Sequence, residues 1–182
     1  LSFLCQTTFR HGHKSFQSVI MALILSLETA TTVCSVALAR DGKILSIREK
    51  NAGYSHSENL TVFISEVLNE AGLELKDLDA VTVSKGPGSY TGLRIGASTA
   101  KGLCFALDKP LIAIDTLKSL AACCVDSDML NRRPEFRTGN SFFLIPMLDA
   151  RRMEVYASVY DSSLKEVVPA RSVIVKIGRA HV

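Results

Sequence analysis

The chain has 182 residues, 47 % hydrophobic and 21 % charged, a balance that builds a packed core and excludes a disordered or low-complexity protein. Its 21 basic and 18 acidic side chains give a net charge of +3, and setting aside Arg10, Lys14 and Arg179 near the ends leaves 18 against 18 over residues 21–176. That balance is poor support for a protein that grips nucleic acid unaided, and no apolar run approaches the roughly 20 residues of a membrane-spanning helix.

Residues 1–20 show no usable periodicity, and Arg10, His11, His13 and Lys14 interrupt any apolar stretch a signal peptide needs. They read as translated upstream sequence, with Met21 as the native start. Leu23-Ile24-Leu25-Ser26-Leu27 predicts a strand buried on both faces, 28–32 a turn, and 33–39 a second strand. Asp41-Gly42 signals a hairpin into a third strand over 43–48. A loop over 51–56 follows, with Ser55 and Glu58 spaced as a capping box. Leu60, Phe63, Ile64, Val67, Leu68 and Ala71 recur at helical spacing and predict a helix over 57–71, which Gly72 ends.

A fourth strand is expected over 79–84, a helix rich in small residues over 91–107, and a fifth strand over 110–115. Thr116 then caps a helix bearing Leu117, Leu120, Ala121, Cys124 and Val125. Beyond a polar loop over 126–140, residues 142–148 predict a buried strand ending at the acid Asp149, and 153–160 its return strand. Residues 177–182 read as a non-native tail, with the native chain continuing beyond about Lys176.

Most of the chemistry lies between the fourth strand and its helix, in Lys85-Gly86-Pro87-Gly88-Ser89-Tyr90-Thr91-Gly92-Leu93-Arg94-Ile95-Gly96. Strand, glycine loop and helix together aim free backbone N–H groups at an anion. A Walker A loop would need a Lys that is absent here, and a dinucleotide loop would need Gly where Thr91 stands. The loop also has a plain structural reading: a turn at 86–88, Thr91 as helix N-cap, and Gly92, Gly96 and Ala100 opening one helix face to close packing. That face could meet the sheet or a partner's helix.

These residues carry a resemblance. The loop over 85–96, the opening Leu25-Ser26-Leu27-Glu28-Thr29-Ala30-Thr31-Thr32-Val33-Cys34-Ser35-Val36 and the later Asp149-Ala150-Arg151-Arg152-Met153-Glu154-Val155-Tyr156 are similar to three ordered signatures of the TsaB family. The resemblance covers about residues 21–170. Element order points the same way, to a ribonuclease H-like plan within the actin, Hsp70 and sugar-kinase superfamily. The expected fold is therefore α/β, with actin-like duplicated domains: one over 21–125 and a second, truncated one over 140–176. Leu148-Asp149 followed by Val155-Tyr156 echoes Leu27-Glu28 followed by Val33-Cys34, as a duplication would.

What the resemblance implies is a dimerisation subunit of the machinery that makes threonylcarbamoyladenosine in tRNA. Its partners would be a TsaD-type catalytic homologue, a TsaE-type small ATPase, a second copy in a homodimer, and tRNA reached through the complex. ATP and magnesium would serve the complex, with no cofactor held by this subunit and no catalytic residue of its own. The partner interface would run along the helices over 57–71 and 91–107, through Leu60, Phe63, Val67, Gly92, Arg94, Gly96 and Ala100. Phe63→Asp or Gly96→Leu would then break the pairing and leave the fold intact. Glu28, Thr29, Gly86, Gly88, Ser89, Thr91 and Asp149 occupy the places of the superfamily's phosphate loops, in a degraded form that lacks the usual glycines. If those loops were intact, the chain would instead be a stand-alone nucleotide hydrolase or phosphotransferase.

The five cysteines form no Cys-x-x-Cys pair, and their odd number favours reduced thiols and a cytosolic setting. Of the four histidines only His56 lies within 21–176, so no zinc site of ordinary ligand count can be assembled and a zinc peptidase gets no support. A surface position near a helix start suits His56. Arg94 sits close to a helix N-terminus, where its charge opposes the helix dipole and calls for a salt bridge or partner contact.

Overall fold

The computed structural model describes residues 22–51, 56–126 and 142–175. The first half builds a five-stranded sheet from β1 (Leu23–Glu28), β2 (Val33–Arg40), β3 (Lys43–Asn51), β4 (Ala80–Gly86) and β5 (Leu111–Asp115), in the order β3-β2-β1-β4-β5. β1, β2 and β3 pair antiparallel, whereas β4 and β5 add in parallel after helical crossovers. Asp41 and Gly42 both take positive φ, 52° and 74°, which is the twist a two-residue hairpin requires. β1 is buried on both faces, as its unbroken apolar run predicts.

α1 (His56–Ala71) and α2 (Tyr90–Leu107) cover one face of this sheet. Leu60, Phe63, Ile64, Val67 and Leu68 of α1 and Ala100 and Cys104 of α2 join Leu25, Leu27, Val36, Leu38, Val81 and Val83 in one core. α3 (Thr116–Asp126) follows β5 directly and packs Leu117 and Ala121 against the second sheet.

The second sheet has β8 (Glu154–Asp161) at its centre, β9 (Glu166–Ile174) along one side, and β6 (Phe143–Leu144) and β7 (Met147–Arg151) in succession along the other. Leu144, Leu148, Tyr156 and the buried Tyr160 meet α3.

Four expectations need correction. The strand expected over 142–148 is two, divided around Pro146, whose nitrogen has no hydrogen to give a ladder. β9 was not anticipated: it is an edge strand with Pro169 inside it and almost no buried position, so it carries no alternation to read. Thr91 is not the cap of α2; Ser89 is, its Oγ accepting the Gly92 N–H at 3.3 Å. Thr116 is the first residue within α3 rather than its cap, and its buried hydroxyl has no protein partner. Ser55, the polar loop residues 127–140 and the two chain ends lie outside the described residues, as does the side chain of His56.

Candidate functional site

β1 and β4 run parallel and end side by side, so the loops that follow them meet. Glu28 closes β1. One carboxylate oxygen accepts the Ala30 N–H at 2.6 Å and the other accepts the Ser84 hydroxyl of β4. Thr29, fully buried, donates its hydroxyl to the Gly92 carbonyl at 2.8 Å. The Ser89 N–H donates to the Ala30 carbonyl at 2.6 Å. A Cβ at Gly88 would strike Ala30, coming to 2.7 Å from its methyl group, so only glycine allows the two loops this contact. Thr29 and Ser89 thus tie the two loops to each other, while Glu28 ties its own loop to β4. Burial and, after it, the charge of Glu28 raise the thiol pKa of Cys34, which sits inert beneath.

Above the clamp lies a cleft of about 660 Å³ between the sheets. Ala30, Thr31, Thr32, Gly88, Ser89, Tyr90 and Thr91 form one wall, and Leu148, Asp149, Ala150, Arg151 and Tyr156 the other. Asp149 bends back, one carboxylate oxygen accepting the Arg151 N–H at 2.8 Å. The hairpin that follows holds Arg151, Arg152 and Met153 in succession at φ of 67°, 53° and 62°. Left-handed backbone at a non-glycine residue is uncommon, and here it makes a tight turn of three exposed residues. Tyr90 remains 74 % exposed, with the Arg94 guanidinium 5.5 Å from its ring centroid. The ring therefore shields the charge that a helix N-terminus disfavours.

The residues expected to face an anion separate into two sets. Gly88, Ser89, Thr91 and Asp149 line the cleft; Glu28, Thr29 and Gly86 do not, the first two being engaged in the clamp beneath it. Tyr90 and Tyr156 also line the cleft and were not singled out by sequence as facing it. Tyr90 had one usable signal, an aromatic set among the small residues that open a helix.

Six of the seven residues expected at a partner interface lie inside. Leu60 and Val67 are 1 % and 0 % exposed, Phe63 is 9 %, and Gly92, Gly96 and Ala100 are buried as well. A Cβ on Gly96 would collide with the Thr29 hydroxyl and reach 3.4 Å from Val83, so the small-residue stripe seats α2 on its own sheet. Among those seven, Arg94 is exposed. The outward faces instead carry Val62 on α1, half exposed, and Phe105 on α2, 92 % exposed. At the carboxyl ends of β4 and β5, Lys85 and Asp115 pair at 2.9 Å, and this hydrogen bond holds the lysine amine above its usual range.

No described helix is long and apolar enough to cross a membrane, and no group of three His, Cys, Asp or Glu among the described residues could hold a metal ion.

Comparison with known proteins gives a consistent picture. Residues 47–180 match the family model described as TsaD, tRNA N6-adenosine threonylcarbamoyltransferase. The tRNA threonylcarbamoyladenosine biosynthesis protein TsaB of Haemophilus influenzae is 36 % identical over 135 residues, 74 % of this chain and 52 % of that protein. The Bacillus subtilis protein of the same name is 32 % identical over 156 residues, 83 % of this chain and 62 % of the relative. Escherichia coli TsaB is 32 % identical over 137 residues, 75 % of this chain and 54 % of its own. Among solved structures, YeaZ from Pseudomonas aeruginosa superposes with a TM-score of 0.65 at 29 % identity, covering 89 % of this chain and 71 % of that one. The chain thus spans between about half and three fifths of the length of these curated relatives.

Proposed function

The chain belongs to the TsaB family, a branch of the glycoprotease-like proteins that the TsaD model describes, and on that footing we propose that it is a non-catalytic scaffold subunit in the synthesis of threonylcarbamoyladenosine in tRNA. It joins a TsaD-type catalytic homologue, with a TsaE-type ATPase assisting, and the complex carries a threonylcarbamoyl group from its adenylate to the adenosine beside the anticodon. A second copy of the chain is the alternative occupant of the same surface. The working setting is the cytosol. ATP and magnesium are consumed by the complex. The plan is actin-like, two related domains over 21–125 and 140–176, with β1 and β2 answered by β7 and β8.

The observation that carries the non-catalytic part is the clamp between the two loops. A metal–nucleotide site needs a free carboxylate and free N–H groups at these strand ends. Here both oxygens of Glu28 are engaged by the chain itself, the Ser89 N–H is given to Ala30, and Gly88 abuts Ala30 without room for a phosphate. The stand-alone nucleotide hydrolase therefore finds no support in this geometry.

The scaffold acts through the outward faces of α1 and α2. Phe105 is an aromatic left almost wholly in water, the kind of side chain that anchors an interface once covered. Losing such an anchor costs about 2 kcal/mol or more, some thirtyfold in affinity. Phe105→Asp is expected to abolish co-elution with the catalytic homologue while leaving the circular dichroism and melting temperature of the chain unchanged. Undiminished co-elution of that variant would refute the assignment of this face.

A further inference from the structure

Away from the residues that line the cleft, the seam between the two sheets carries a cluster of charged and polar side chains, and two ladder irregularities build it. Where β4 pairs with β5, Ser84 faces Ile114 and Gly86 faces Asp115, so Lys85 is the extra residue of a bulge. Where β8 pairs with β9, Val159 faces Val168 and Tyr160 faces Glu166, so Val167 is passed over. A bulge re-aims the side chains beside it. The first goes with the contact of Lys85 to Asp115 at 2.9 Å. The second sets Glu166 opposite Tyr160, where an unbroken ladder would set Val167.

Tyr160 joins the two places. It is 1 % exposed, its hydroxyl has no hydrogen-bond partner, and it shares a core cluster with Leu117, two residues beyond Asp115. Burial first, and then the charges of Asp115 and Glu166, hold its phenol above the usual range. Two carboxylates of opposite sheets therefore share one buried neighbour, and like charges so placed push apart. Lys85 is the cation that answers both: Asp115 foremost, and Glu166 after it, hold its amine protonated. We propose that Lys85 is an electrostatic joint, neutralising Asp115 and Glu166 together so that the second sheet keeps the angle to the first that shapes the cleft. Losing the cation would leave the two acids to repel each other across the seam.

Hydrogen exchange of the full chain, followed by mass spectrometry, tests the joint. The Lys85 side chain is 55 % exposed, so replacing it leaves the core intact. At low ionic strength Lys85→Met is expected to speed exchange of the α3 and β8 amides about threefold, with α1 and β3 unchanged. Adding Glu166→Gln to that variant is expected to restore the parent's rates, because it removes the repulsion from the other sheet. Salt at about 1 M, where the screening length is roughly 3 Å, is expected to do the same. Lys85→Arg keeps the charge and is expected to exchange like the parent. Unchanged rates in Lys85→Met would overturn the joint. So would faster exchange that neither Glu166→Gln nor salt relieves, which would make Lys85 a packing residue of β4 alone.

Discussion

A single methyl group decides whether α2 can sit where it does. Gly96 leaves no room for a Cβ, because the Thr29 hydroxyl occupies that space in order to reach the Gly92 carbonyl at 2.8 Å. Spacing alone identified Gly92, Gly96 and Ala100 as a close-approach stripe, and that much is right. What approaches is the chain's own first loop, a contact 63 residues away in sequence that no local pattern encodes. The same holds for Phe63, 9 % exposed against the sheet, so Phe63→Asp or Gly96→Leu would unfold the chain before revealing anything about a partner. Gly96→Ala is expected to lower the unfolding free energy by about 1–3 kcal/mol through overpacking, whereas Phe105→Ala, at a side chain in water, is expected to stay within about 0.5 kcal/mol. Urea denaturation of the two variants side by side checks this; a destabilised Phe105→Ala with an unaffected Gly96→Ala would reverse the assignment of inside and outside.

At the scale of elements, α1 is held to the edge strand β3 by more than its apolar stripe. Arg48 of β3 reaches Glu66 at 3.0 Å and Glu70 at 2.7 Å, and the Ser46 hydroxyl donates to Glu70 as well. The Ser46 hydrogen bond first, and then Arg48, hold the Glu70 carboxyl below its ordinary 4.5. A carboxyl with a lower pKa in the folded chain favours the fold at pH above its ordinary value, and that contribution is lost as pH falls through the folded value. Because the group is exposed, water and salt weaken the effect. Glu70→Gln is therefore expected to flatten the acid side of the stability curve, read as urea midpoints below about pH 5, with a small loss at neutral pH. A variant whose midpoint falls as steeply in acid as the parent's would show that Glu70 takes no part.

Which elements were legible follows from the same physics. α1 announces itself by a stripe at helical spacing, and β1 by an unbroken apolar run between turn residues. β9 is silent because exposed edge strands need no pattern, whereas the return strand β8 was legible from its own apolar run although Arg152-Met153 stands where such a turn favours asparagine and glycine.

For the molecule as a whole, the cleft brings together Thr31, Tyr90 and Arg151, three positions about 60 residues apart in succession that no motif spans. The three sequence signatures converge on it: the first two form the clamp and the near wall, and the third the far wall. Sequence could read each signature and its degraded phosphate chemistry; it could not read that Thr29 and Ser89 tie the first two loops together while Glu28 is engaged by Ala30 and Ser84. On the proposed scaffold reading, these contacts make the loops a rigid shape instead of a nucleotide cradle. The most direct measurement is a reconstitution in which this chain is left out. The catalytic homologue, the small ATPase and the enzyme that forms threonylcarbamoyl-adenylate are combined with tRNA, threonine, bicarbonate and ATP, and modified adenosine is quantified with and without the chain. Strict dependence on the chain is expected, with no product from the chain alone; equal yield in its absence would refute the scaffold role.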